Sequence, residues 1–170
     1  MTGRAARPLR AWQWLGAPAA ACVLATLLVA VPLRVGGLRL PEPVFLLAPA
    51  FAWALIRPSV AAPFAVLGTG LFLDLYWGGQ LGLWALCGVA VYGGALAGRG
   101  LMAGQTRPVL FAWYAGLTVA AFALAWALTA VDTGVMPDLG ASLWQMVATV
   151  ALFPAADYLL NRFEDEARRL

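Results

Sequence analysis

Residues 70–82 read GLFLDLYWGGQLG, in which Asp74 is the one charge among uncharged neighbours that are nearly all apolar, aromatic or glycine. Widening the window sharpens the contrast, because nothing else between Pro58 and Gly98 is charged. A membrane-crossing helix takes about 20 apolar residues, so this run holds two. The WGGQ at 77–80 is the natural turn between them. Asp74 then falls near the end of the first helix of the pair, about 22 Å from its start at 1.5 Å per residue. That depth is close to the outer edge of a bilayer but still inside it. An ionisable group there faces the bundle interior or a wet cavity. Gly70 lies one turn earlier on the same face and leaves room beside the carboxylate for another backbone or a polar partner.

Composition agrees with this reading. The chain is 63% hydrophobic and 11% charged, against about 25% charged in soluble domains. It cannot cover a soluble surface with polar side chains, and reads as an integral membrane protein. There is no histidine, which removes the commonest general base and the commonest metal ligand. Cys22 and Cys87 sit in apolar runs without CxxC or metal spacing, so both read as small packing residues with no disulfide. No nucleophile motif or phosphate-binding loop is present, and neither a cofactor nor a metal is expected. The net charge of +3 is explained by where the arginines stand and is no nucleic-acid signal.

The pattern predicts an all-α polytopic membrane protein with six spans, near 11–33, 43–56, 59–76, 81–98, 108–131 and 139–161. The charged tail 162–170 follows, and 1–170 form a single membrane domain. The first span is read as retained: its uncharged run exceeds the ~7–15 residues of a signal core, and most of it follows the AAAC at 19–22. The second, Pro43–Ile56, is short, with Pro49 inside, and is expected to be kinked or partly re-entrant. An inside N-terminus puts Arg4, Arg7, Arg10, Arg57, Arg99, Arg107, Arg162, Arg168 and Arg169 on the cytoplasmic side. Only Arg34 and Arg39 remain outside, with Glu42, Asp132 and Asp138. This positive-inside bias predicts that both termini are cytoplasmic.

Three uses of Asp74 stand open: tethering the turn by accepting hydrogen bonds from Gly78, Gly79 or a neighbouring helix; recognising a partner; or ligand and proton work. Asp157, after Pro154 in the last span, is the second intramembrane acid. An ion pair or helix-end contact is expected for it, with Arg162 following and Arg57 on the same membrane side. The two aspartates invite an enzyme hypothesis, since GLFLD and FPAAD are similar to the catalytic segments of prolipoprotein signal peptidase. Paired aspartates activate water only when their carboxyls nearly touch. Here the topology puts them on opposite sides, and the asparagine and arginine of those motifs are missing, so a non-enzymatic protein is expected. Gly94 and Gly98, with Ala90, form a small face for close packing within the chain, a homodimer being the alternative. Trp12, Trp14 and Trp77 read as an aromatic belt.

Residues 57–86, RPSVAAPFAVLGTGLFLDLYWGGQLGLWAL, resemble the core pattern of the rod shape-determining MreD family. Its elements are Arg57-Pro58 before the third span, Gly70 to Asp74 ending it, the Gly78-Gly79 turn, and Leu81-Gly82 beyond. The resemblance implies a non-enzymatic multi-pass scaffold of the bacterial inner membrane that supports rod shape and lateral peptidoglycan synthesis. It implies a membrane-anchored MreC-like partner and, through it, an MreB-like actin filament and peptidoglycan synthases. The family is similar in architecture to substrate-binding subunits of energy-coupling-factor vitamin transporters, so a solute-binding transporter subunit is the alternative. For that role only Thr69, Asp74, Tyr76 and Gln80 offer polar groups locally.

Overall fold

The computed structural model describes residues 12–29, 34–35, 38–39, 42–56 and 58–167. Arg57 and the N-terminal arginines lie outside these residues. The described residues form six helical rods. A π-helical turn, Trp12–Gly16, leads into α1 (Ala17–Val29). A short antiparallel pairing of β1 (Arg34–Val35) with β2 (Leu38–Arg39) follows. Then come α2 (Leu47–Ile56), α3 (Ala61–Trp77), α4 (Leu83–Met102), α5 (Arg107–Thr133), α6 (Leu139–Val150) and α7 (Phe153–Ala167), the last two forming one interrupted rod. Among the described residues, α4, α5 and the segment Leu139–Arg162 are long and apolar enough to cross a membrane. By length and composition these helices suit a helical membrane protein. The helices of the first half are shorter: α3 reaches ~26 Å and α2 only ~15 Å at 1.5 Å per residue.

The short α2 is the centre of the molecule. A helix that is apolar all round must be buried, and every residue from Leu46 to Ala54 is. It packs against α4 and α7, with smaller contacts to α3 and α5. Its large side chains Phe51 and Trp53 fill the interior, Phe51 lying edge-on to Tyr114 at 5.4 Å between ring centroids. The Trp53 indole donates to the Trp14 carbonyl at 2.8 Å. Trp14 is therefore a core residue and not part of the expected aromatic belt.

Irregular backbone can enter a membrane protein only where its polar groups find protein partners, and the approach to α2 meets that condition. The Val44 N–H donates to the Thr149 hydroxyl at 3.0 Å. The Glu42 carbonyl accepts from the Gln145 amide at 2.8 Å. Both partners are one turn apart on α6. The Thr149 carbonyl in turn accepts the Tyr114 hydroxyl at 2.9 Å. That carbonyl belongs to the end of α6, where the rod breaks at Ala151 and Leu152. Pro154 has no N–H to continue the ladder, so the expected single helix 139–161 becomes two.

Helix ends follow local chemistry. Asp138 caps α6 by accepting from the Gly140 N–H at 2.8 Å. α5 closes on Gly134, left-handed at φ +66°. The Gly94 and Gly98 face of α4 is turned inward onto α5: a Cβ at Gly94 would come 2.7 Å from Leu117, and one at Gly98 3.1 Å from the Trp113 ring. Ala90 is exposed. Those two glycines are used within the chain. Cys22 and Cys87 are free and buried in separate helices.

Thr149→Val would remove the acceptor of the buried Val44 N–H. We expect a loss of about 1–3 kcal/mol, read as a lower thermal midpoint in detergent. Thr118→Val is the control: its buried hydroxyl has no hydrogen-bond partner among the described residues, so it should be neutral or stabilising. Equal losses in both variants would contradict the assignment.

Candidate functional site

The motif 70–82 folds as the end of α3, a reversal, and the first turn of α4. α3 stops at Gly78, left-handed at φ +63°, and α4 starts after Gly82, also left-handed at φ +93°. Both conformations are costly for a residue with a Cβ. Gly79 has an ordinary φ and an open surroundings, so this geometry does not require glycine there. Pro58 is exposed ahead of α3; Ser59 accepts the Ala62 N–H on its hydroxyl at 3.2 Å.

Every α-helix begins with N–H groups that have no intrahelical partner. At the start of α4 these belong to Gly82, Leu83, Trp84 and Ala85, and Gly82 has no side chain with which to cap them. Leu83 donates to the Gln80 carbonyl at 3.2 Å. The other three converge on Asp74, which reaches across from α3. Its Oδ2 accepts from Gly82 at 2.9 Å and from Ala85 at 3.4 Å, and its Oδ1 accepts from Trp84 at 2.9 Å. Asp74 is 1% exposed. The carboxylate also faces the positive end of the α4 macrodipole, which favours it further.

Gly70 makes that reach feasible. A Cβ there would lie 2.6 Å from the Ala85 nitrogen and 3.0 Å from the Ala85 side chain. The backbones of α3 and α4 therefore touch at Gly70, one turn below the carboxylate. Aromatic rings brace the other side. Trp84 packs edge-on to Trp77 at 5.8 Å and to Phe122 of α5 at 5.3 Å. The Trp77 indole donates to Glu42 Oε2 at 2.7 Å. Through Glu42 and Gln145 the same corner is joined to α6.

Of the donors expected for the turn tether, the neighbouring helix is the one used. Its donors are Gly82, Trp84 and Ala85, not Gly78 or Gly79. Chain reversal at the left-handed Gly78 carries the nearest residues away, and the amides that return to Asp74 are those of the next helix. Of the other local polar groups, Thr69 and Tyr76 are engaged elsewhere. Thr69 is satisfied by the Ala65 carbonyl at 2.8 Å, and Tyr76 stacks on Phe72 near the surface.

Asp157 stands elsewhere. Its Oδ2 accepts from Asn161 at 3.1 Å and lies 3.6 Å from Arg107 Nε. The expected partner Arg162 is replaced by Asn161, which sits four residues on and so shares the helical face, whereas five residues is off it. Arg57, the other expected partner, is outside the described residues. Arg107 starts α5 just beyond the end of α4, while Asp74 caps its beginning. The two aspartates are thus separated by about the ~30 Å length of α4. Sequence reasoning missed Glu42, Tyr114, Gln145 and Thr149. The last three were visible only as polar side chains within apolar runs.

No protein-family model matches this chain, and neither does any curated protein or solved structure.

Two substitution series test the cap. Asn at 74 supplies one acceptor oxygen where two are used, so Asp74→Asn should lose part of the stability and Asp74→Leu more. Each buried amide left unsatisfied costs about 1–3 kcal/mol. Thermal unfolding of the purified protein should rank wild type above Asn above Leu; a leucine variant as stable as wild type would refute the cap. In the second series, Gly70→Ala and Gly82→Ala should lower the folded yield, while Gly79→Ala leaves it unchanged. Equal sensitivity at 79 would contradict the geometry.

Proposed function

We propose that this chain is a non-enzymatic, six-span scaffold of the bacterial inner membrane. In this reading it supports rod cell shape by organising lateral peptidoglycan synthesis. Its partners are a membrane-anchored MreC-like protein and, through that, an MreB-like filament and peptidoglycan synthases. Both termini are cytoplasmic, and the shorter helices α1 to α3 complete the spans begun by the longer ones. The order of elements in residues 57–86 is what suggests the family.

One observation supports a scaffold over a solute carrier: both oxygens of Asp74 are engaged by the backbone of α4. The carboxylate is part of the frame. The centre of the bundle is filled, with Phe51 and Trp53 of α2 fully buried there.

Depletion in the native host should give rounded or widened cells with delocalised wall synthesis, and affinity purification from native membranes should bring down a single-span wall-synthesis protein. Restoration of shape and growth by one vitamin or metabolite would contradict the scaffold and favour the transporter subunit. Topology is tested separately. Reporter fusions after Arg107 and at the C-terminus should report cytoplasm, and fusions within 132–138 periplasm; a periplasmic C-terminus would refute the six-span arrangement.

A further inference from the structure

The first half of α5 carries an open groove of about 470 Å³, lined by Pro108, Val109, Ala112, Trp113, Gly116 and Leu117. Its shape follows from sequence spacing. Pro108, Ala112 and Gly116 recur every four residues and form a trough along one helix face. Trp113 and Leu117 flank it, each seated against a glycine of α4, at Gly98 and Gly94.

The dimensions suit one occupant. From Pro108 to Leu117 the helix rises ~14 Å at 1.5 Å per residue. The hydrocarbon core of a bilayer is ~30 Å thick, so the groove runs the depth of one leaflet. It then ends before the midpoint of α5. A partner helix crossing the membrane would use the whole length of α5, whereas an acyl chain would not.

Charge is arranged at one end only. The groove begins beside Arg107, whose side chain is 71% exposed although its Nε lies 3.6 Å from Asp157. Arg99 is exposed in the last turn of α4, next to the Gly98 that seats Trp113. Two arginines against Asp157 leave this end positive. The sequence beyond it, with Arg162, Arg168 and Arg169 against Glu164, Asp165 and Glu166, adds no net charge.

We propose that the groove binds an acidic glycerophospholipid, one acyl chain lying along Pro108–Leu117 and the headgroup phosphate against Arg107 and Arg99. The inference rests on α5 crossing the membrane and not on the scaffold function.

The test uses the purified full chain equilibrated with equimolar phosphatidylglycerol and phosphatidylcholine, with retained lipids counted by native mass spectrometry. The wild type should keep one phosphatidylglycerol in preference to phosphatidylcholine. Near a membrane surface one arginine contributes about a five-fold preference for an anionic lipid. Arg107→Gln should therefore lower the preference about five-fold while lipid of either kind is still retained. Gly116→Leu should abolish retention of both, since no atom lies within 4 Å of its Cβ position and the new side chain enters the groove. Ala112→Leu, at another exposed trough position, repeats the test if the first variant folds poorly. Equal retention of the two lipids by wild type would overturn the proposal. So would wild-type retention in both groove-filling variants, or a protein partner held there in place of lipid.

Discussion

The carboxylate of Asp74 closes the amino end of α4. Three backbone donors meet the two oxygens of a buried carboxylate, and without that acceptor the first amides of α4 would lose their partner. Much of the structure is arranged around that contact. Gly70 lets α3 and α4 approach until their backbones touch. Gly78 and Gly82 give the reversal its left-handed ends. The Trp77 and Trp84 rings close over the corner, and the Trp77 indole passes the restraint to Glu42, from which Gln145 carries it to α6.

A second set of contacts serves α2, and it works by the same rule. The chain enters the bundle through the irregular segment 42–46, whose polar groups are met by Gln145 and Thr149. Once inside, α2 needs no polar face at all, because α3, α4, α5 and α7 surround it. The two sets meet at Glu42, whose side chain serves the Asp74 corner and whose carbonyl serves α6. The α3–α4 turn, the short central helix and the last rod are therefore linked by hydrogen bonds running across the fold.

The sequence revealed the type of each feature better than its partners. A lone acid among forty uncharged neighbours had to be satisfied by the protein, and a glycine one turn before it had to mark a close approach; both follow from helical spacing alone. Which amides would be satisfied did not follow. That depends on where the chain returns after Gly78, and no local rule specifies it. Asp157 shows the same limit: its pairing with Arg107 joins residues fifty positions apart on different helices. Trp14 looked interfacial because it follows a basic stretch, yet its carbonyl and ring belong to the core beside Trp53. The break at Pro154 was legible in principle, since proline removes a ladder donor, but a long apolar run concealed it.

Amide hydrogen exchange on the intact protein in detergent or nanodiscs reads the central contact directly. If Asp74 accepts from the start of α4, the amides of Gly82, Trp84 and Ala85 exchange as slowly as those in the middle of α4. In Asp74→Leu they become fast while α5 stays protected. Fast exchange of these three amides in the wild type, or protection unchanged by Asp74→Leu, would contradict the account.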